Sequence, residues 1–61
     1  MKYRIVFTWL DDNTRDCFEI KGITELKFNI KDIKEKGLHK ITEIYQINKN
    51  GEYVPYNKIK F

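Results

Sequence analysis

The sequence predicts an α+β fold: one small domain in the order β-β-α-β-β, with one helix packed on one face of a three- to four-stranded antiparallel sheet. Three observations lead there. The stretch from Ile23 to Leu38 carries apolar residues at helical spacing, the flanking stretches are rich in β-branched and aromatic residues, and turn-forming clusters divide each flank in two.

The first strand is Lys2 to Leu10, where Tyr3, Ile5, Phe7 and Trp9 alternate with Arg4, Val6 and Thr8. The aromatic set is the core face. The run Asp11-Asp12-Asn13-Thr14-Arg15-Asp16 is dense in turn formers, and Cys17 to Lys21 alternates again, with Phe18 and Ile20 toward the core and Cys17, Glu19 and Lys21 away from it. These segments make the first hairpin, and Gly22 turns the chain into the helix.

In the helix, Ile23, Leu26, Ile30 and Ile33 fall on one narrow stripe, which a sheet must cover. Thr24 is placed to be the N-cap, with Ile23 stapling onto Phe28, and Gly37 suits a left-handed C′ position with Leu38 touching Ile33 in a Schellman ending. Glu25 in the first turn, Lys34 and Lys36 in the last, and Asp32 four residues before Lys36 agree with the helix dipole. Leu26, Phe28 and Ile30 also alternate as a strand would, but the stripe, both caps and both sets of charges favour a helix.

Beyond the helix, His39 to Ile47 reads as a third strand whose apolar residues do not alternate cleanly. Ile41, Tyr45 and Ile47 share one parity and Ile44 has the other, so either the second face is partly apolar or a bulge intervenes. Asn48-Lys49-Asn50-Gly51 is a turn, and Glu52-Tyr53-Val54 returns as a short fourth strand. Pro55 lacks an amide hydrogen and ends it, leaving Tyr56 to Phe61 as a loosely ordered tail.

A chain of 61 residues buries only about 60% of the surface exposed when unfolded, so dimerisation would help it. A single cysteine, Cys17, excludes an internal disulfide framework. No targeting signal opens the chain and no apolar run approaches the roughly 18 residues of a membrane span, which points to a soluble, cytoplasmic protein. The absence of Ala and Ser beside abundant Lys, Ile and Asn suggests an AT-rich genome, such as a low-GC bacterium or a phage acting in its host's cytoplasm. The net charge of +3 is spread along the chain and interleaved with acids, unlike the dense basic footprint of a dedicated nucleic-acid binder.

Chemistry is thinly represented. Without Ser there is no Ser-His-Asp triad, and a Cys-His pair requires the lone Cys17 and His39 to meet. The acidic loop Asp11, Asp12, Asn13 and Asp16 lacks the glycine and the closing glutamate of a calcium loop, so it reads as turn chemistry. The three glycines are too scattered for a phosphate loop. The expectation is a non-enzymatic chain with no cofactor, metal or small-molecule ligand.

What remains is surface. Arg4, Val6, Thr8, Cys17, Glu19 and Ile44 fall on the sheet face away from the helix, and Tyr45, Tyr53 and Tyr56 add more aromatic area than a one-helix core needs. The reading is a protein-interaction module, a regulator or inhibitor that docks on a larger protein or on itself through that face. The alternative is a nucleic-acid-binding surface in which Arg4, Lys40, Lys49, Lys58 and Lys60 meet phosphates while Tyr45, Tyr53 or Tyr56 stacks on bases.

Overall fold

In a computed structural model covering residues 1–61, the chain runs β1 (Lys2–Trp9), β2 (Arg15–Lys21), α1 (Ile23–Lys36), β3 (His39–Ile47) and β4 (Tyr53–Pro55). The four strands form one antiparallel sheet in the order β2-β1-β3-β4, so β1 is interior and β2 and β4 are the edges. Each hairpin is closed by the turn chemistry of its residues. Asp12 accepts the Thr14 N–H at 2.9 Å while Asn13 takes a positive φ of 60°, and Asn48 Oδ1 accepts the N–H groups of Asn50 and Glu52, each at 2.9 Å.

The helix covers one face of the sheet. Leu26, Ile30 and Ile33 from α1 meet Tyr3, Ile5, Phe7, Ile20, Ile41 and Ile44 in a single core, with Ile5 and Leu26 fully enclosed. The charged face of α1 points outward, where Asp32 and Lys36 pair at 3.1 Å.

The sheet register explains the broken parity of β3. Ile5 stands opposite Ile44 and Phe7 opposite Ile41, while Val6 between them faces only Glu43, so Thr42 is an extra residue and β3 bulges there. The bulge turns both Ile41 and Ile44 toward the helix. Ile44 is 3% exposed and belongs to the core, which corrects its expected place on the opposite face. The Thr42 hydroxyl donates to the Val6 carbonyl at 3.2 Å, tying the bulge to β1.

The N-terminal end of the helix differs from expectation, and the C-terminal end keeps the expected left-handed Gly37 without the Schellman pattern. Helical geometry begins at Ile23, one residue earlier than a Thr24 N-cap allows, because Gly22 takes the cap position at φ 85°, and no side chain caps the end. The staple is consequently absent, and Phe28 is 69% exposed on the outer side of α1. At the C-terminus Gly37 is left-handed, with φ 66°, and its N–H donates to Ile33 O at 3.2 Å. That single bond is the simpler αL ending rather than a Schellman motif, and Leu38 projects into solvent while its carbonyl accepts the Leu10 N–H at 3.1 Å.

The segment after Pro55 has no regular secondary structure yet folds back over the helix side. The Tyr56 N–H donates to Ile44 O at 2.9 Å, its ring meets Tyr3 edge-on at 5.1 Å, and Ile59 also packs on the core. Tyr56 is therefore a lid on the core next to α1, not part of the far face. No helix is long and apolar enough to cross a membrane.

Candidate functional site

The face of the sheet opposite α1 has no covering element. Alternation from the register puts Arg4, Val6 and Thr8 of β1 there, with Arg15, Cys17 and Glu19 of β2, Lys40, Glu43, Tyr45 and Ile47 of β3, and Tyr53 of β4. Arg4, Val6, Cys17, Tyr45 and Tyr53, five of the residues expected on this surface, line one shallow groove of about 600 Å³ together with Arg15 and Asp16. Thr8 is half-buried on the same face, opposite Arg15 and Lys40. Ile44 and Tyr56 are on the other side of the sheet.

The groove is built from interlocking pairs. Arg4 Nη2 donates to Glu19 Oε1 at 2.8 Å, and its guanidinium lies 4.5 Å from the centre of the Tyr53 ring. Tyr53 in turn stands 6.3 Å from Tyr45, with the rings tilted by 38°. The Tyr45 hydroxyl donates to Glu43, whose carboxylate also pairs with Arg15 across β1. Arg4–Glu19 and Tyr45–Tyr53 join neighbouring strands, Tyr45–Glu43 lies within β3, and Arg4–Tyr53 and Arg15–Glu43 each reach across one strand. The sheet register thus sets the order Glu19, Arg4, Tyr53, Tyr45, Glu43, Arg15.

This frame shields the floor. Val6 lies on the helix-free face, yet it is only 8% exposed. The apolar surface the groove offers is therefore mainly tyrosine ring and Cys17, with Tyr53 and Cys17 both exposed.

The electrostatics follow from the same contacts. Hydrogen bonding to Glu19 raises the Arg4 pKa and holds the guanidinium charged. Donation to the Glu43 carboxylate raises the Tyr45 pKa, because ionising that phenol would set two negative groups against each other.

The basic residues of the nucleic-acid reading do not converge. Arg4 and Lys40 share the open face with Tyr45 and Tyr53, Lys49 sits in the β3–β4 turn, and Lys58 and Lys60 belong to the tail that folds over the helix side. Cys17 and His39 are also apart. Cys17 is on the open face of an edge strand, whereas His39 is on the helix side, 4.0 Å from Trp9 and 4.8 Å from Phe7 between ring centres. In the acidic loop Asp12 accepts the Thr14 N–H and Asp16 the Cys17 N–H, and the bond to Thr14 lowers the Asp12 pKa.

Sequence reasoning did not single out Arg15 and Glu43, which complete the frame. Arg15 shares the parity of Cys17 and Glu19, a signal that was there to be read, whereas Glu43 is on this face while Ile41 is in the core only because Thr42 is an extra residue between them. No protein-family model matches the chain, and no curated protein or solved structure matches it either.

Proposed function

We propose that this chain is a non-enzymatic interaction module that docks a polypeptide on its open sheet face, in the groove framed by Arg4, Arg15, Tyr45 and Tyr53. The observation that carries the reading is the pairing of charge. Both arginines of this face are bonded to glutamates of the same chain, Arg4 to Glu19 and Arg15 to Glu43. A phosphate backbone would have to displace those carboxylates, whereas a polypeptide needs no net charge opposite it. The partner that fits presents an aromatic or aliphatic side chain to the tyrosine rings, flanked by polar groups that can share the carboxylates and guanidinia at the rim.

The test is capture of partners from a native-host extract on the immobilised chain, with and without nuclease, beside a Tyr45→Lys/Tyr53→Lys variant shown to keep its melting transition. The reading expects a polypeptide retained after nuclease treatment and at high salt, and lost in the double variant. Binding that disappears with nuclease, or falls steeply as salt rises, would instead establish the nucleic-acid alternative.

A further inference from the structure

The edge strand β2 has one side committed to β1 and the other open. The hairpin is bracketed by the Trp9 N–H donating to Thr14 O and the Gly22 N–H donating to Met1 O, both at 2.8 Å. In the β1–β2 register these fall on pairs whose second member is even-numbered. Antiparallel ladders alternate, so the even-numbered residues of β2 turn their backbone groups to β1, and Arg15, Cys17, Glu19 and Lys21 turn theirs outward. Such a row is a template for another strand.

We propose that the strand it takes is β2 of a second copy of this chain, antiparallel and centred on Cys17. The charge pattern selects both occupant and register. With Cys17 opposite Cys17 of the other copy, Arg15, paired with Glu43 in its own chain, faces Glu19 of the other copy, and Glu19, paired with Arg4, faces its Arg15. The intrachain ion pairs thereby extend across both sides of the twofold axis. A register one step further along puts Arg15 against Lys21, and one step back puts Asp16 against Asp16. Of these three registers only the Cys17-centred one matches charge with charge while keeping outward backbone groups opposite each other, and it overlaps more of β2 than a register centred on Ile20, which would set Glu19 against Lys21. It also sets the two Phe18 side chains, each 36% exposed, diagonally across the join on the helix side, within reach of one another. The two open faces then run on as one, and the groove of each copy meets the other along Arg15 and Cys17.

Asp16 controls this edge. Its Oδ1 accepts the Cys17 N–H at 2.8 Å, occupying the donor at the centre of the row. Pairing exchanges that bond for one to the Cys17 carbonyl of the second copy, so the carboxylate acts as a removable cap that weakens association without forbidding it.

Sedimentation equilibrium on the full chain tests the proposal. A monomer–dimer equilibrium is expected in the micromolar to millimolar range, tightened about fivefold or more by Asp16→Ala, which removes one competing hydrogen bond from each copy. Glu19→Lys should weaken it about tenfold through two repulsive pairs, and adding Arg15→Glu should restore it. Register is read independently with diamide, which takes up two hydrogens as two thiols join. Facing Cys17 residues have Cα atoms about 5.5 Å apart, within disulfide reach, whereas Cys17→Ser/Lys21→Cys moves the thiol far from its symmetry mate. Rapid crosslinking of the native chain and slow crosslinking of that variant supports the register. A chain that stays monomeric throughout, or variants that crosslink equally fast, would overturn it. The pairing uses the β2 edge and not the Tyr45 and Tyr53 rings, so a monomer that still captures its polypeptide through those rings would defeat this proposal alone.

Discussion

Replacing Ile44 by Ala tests the bulge in β3 directly, because without it the residue would face solvent. The substitution removes three carbons from a side chain 3% exposed, and at about 0.8 kcal/mol per buried carbon the transfer term is about 2.4 kcal/mol. The cavity left between Ile5 and the helix brings the expected loss to about 2–5 kcal/mol. A chain of this size holds only about 3–5 kcal/mol in total, so the variant should be close to unfolding at room temperature. Even the lower bound corresponds to a melting temperature lower by about 8 °C or more. The control is on the same strand: Ile47, half-buried on the open face, loses the same atoms as Ala and should cost less than about 1 kcal/mol. Urea and thermal unfolding followed by far-ultraviolet circular dichroism and Trp9 fluorescence measure both. Equal losses at the two positions, or an Ile44→Ala chain as stable as the parent, would refute the two-residues-against-one count at Thr42.

Further outcomes follow from the same structure. Gly37→Val should cost about 1 kcal/mol or more in unfolding experiments, all of it backbone strain at φ 66°, since a Cβ there meets no atom within 4 Å; Gly37→Asn should be milder. Ile30→Asp should abolish the melting transition by burying an unpaired charge, whereas Lys31→Asp, exposed and paired only loosely with Glu35 at 3.9 Å, should shift it little. Glu43→Gln should move one tyrosine of an alkaline absorbance titration to lower pH, because the Tyr45 phenol loses the carboxylate that raises its pKa. A raised folded pKa stabilises below the unfolded value and is lost as pH rises through the folded one, so the contribution of the Tyr45–Glu43 bond should be fully present at neutral pH and be lost only in the alkaline range. The lowered Asp12 pKa acts at the opposite end: its contribution is present above the unfolded carboxylate value and lost as pH falls through the folded one, so Asp12→Asn should flatten the acid side of the stability profile.

The residues that made the fold legible were those whose period leaves one choice. Leu26, Ile30 and Ile33 repeat at helical spacing, and Tyr3, Ile5 and Phe7 at strand spacing, so helix and first strand could be read, with their buried faces, from the chain alone, although Ile23, expected at the start of the same stripe, stays exposed at the helix end. Ile44 was not legible for the converse reason. A bulge changes the count between two strands, and a single strand's parity cannot reveal it until the partner's register is known. Thr24 looked like an N-cap because its side chain suits one, but Gly22 can take a positive φ and enters the turn first. Tyr56 was misplaced because Pro55 signals where a strand ends and not where the chain goes next. The groove was half-visible: β1 alternation put Arg4, Val6 and Thr8 on one face, while the Arg15–Glu43 pairing joins β2 and β3, whose placement on either side of β1 no single strand's pattern reveals.

Photo-crosslinking in the native host distinguishes the surfaces most directly. A photoreactive phenylalanine analogue is placed at Tyr53, in the groove, or at Phe28, the most exposed aromatic of the helix side. Docking on the open face predicts a discrete polypeptide adduct from position 53, resistant to nuclease and absent from position 28. Adducts from position 28 alone, or nuclease-sensitive adducts from position 53, would contradict it.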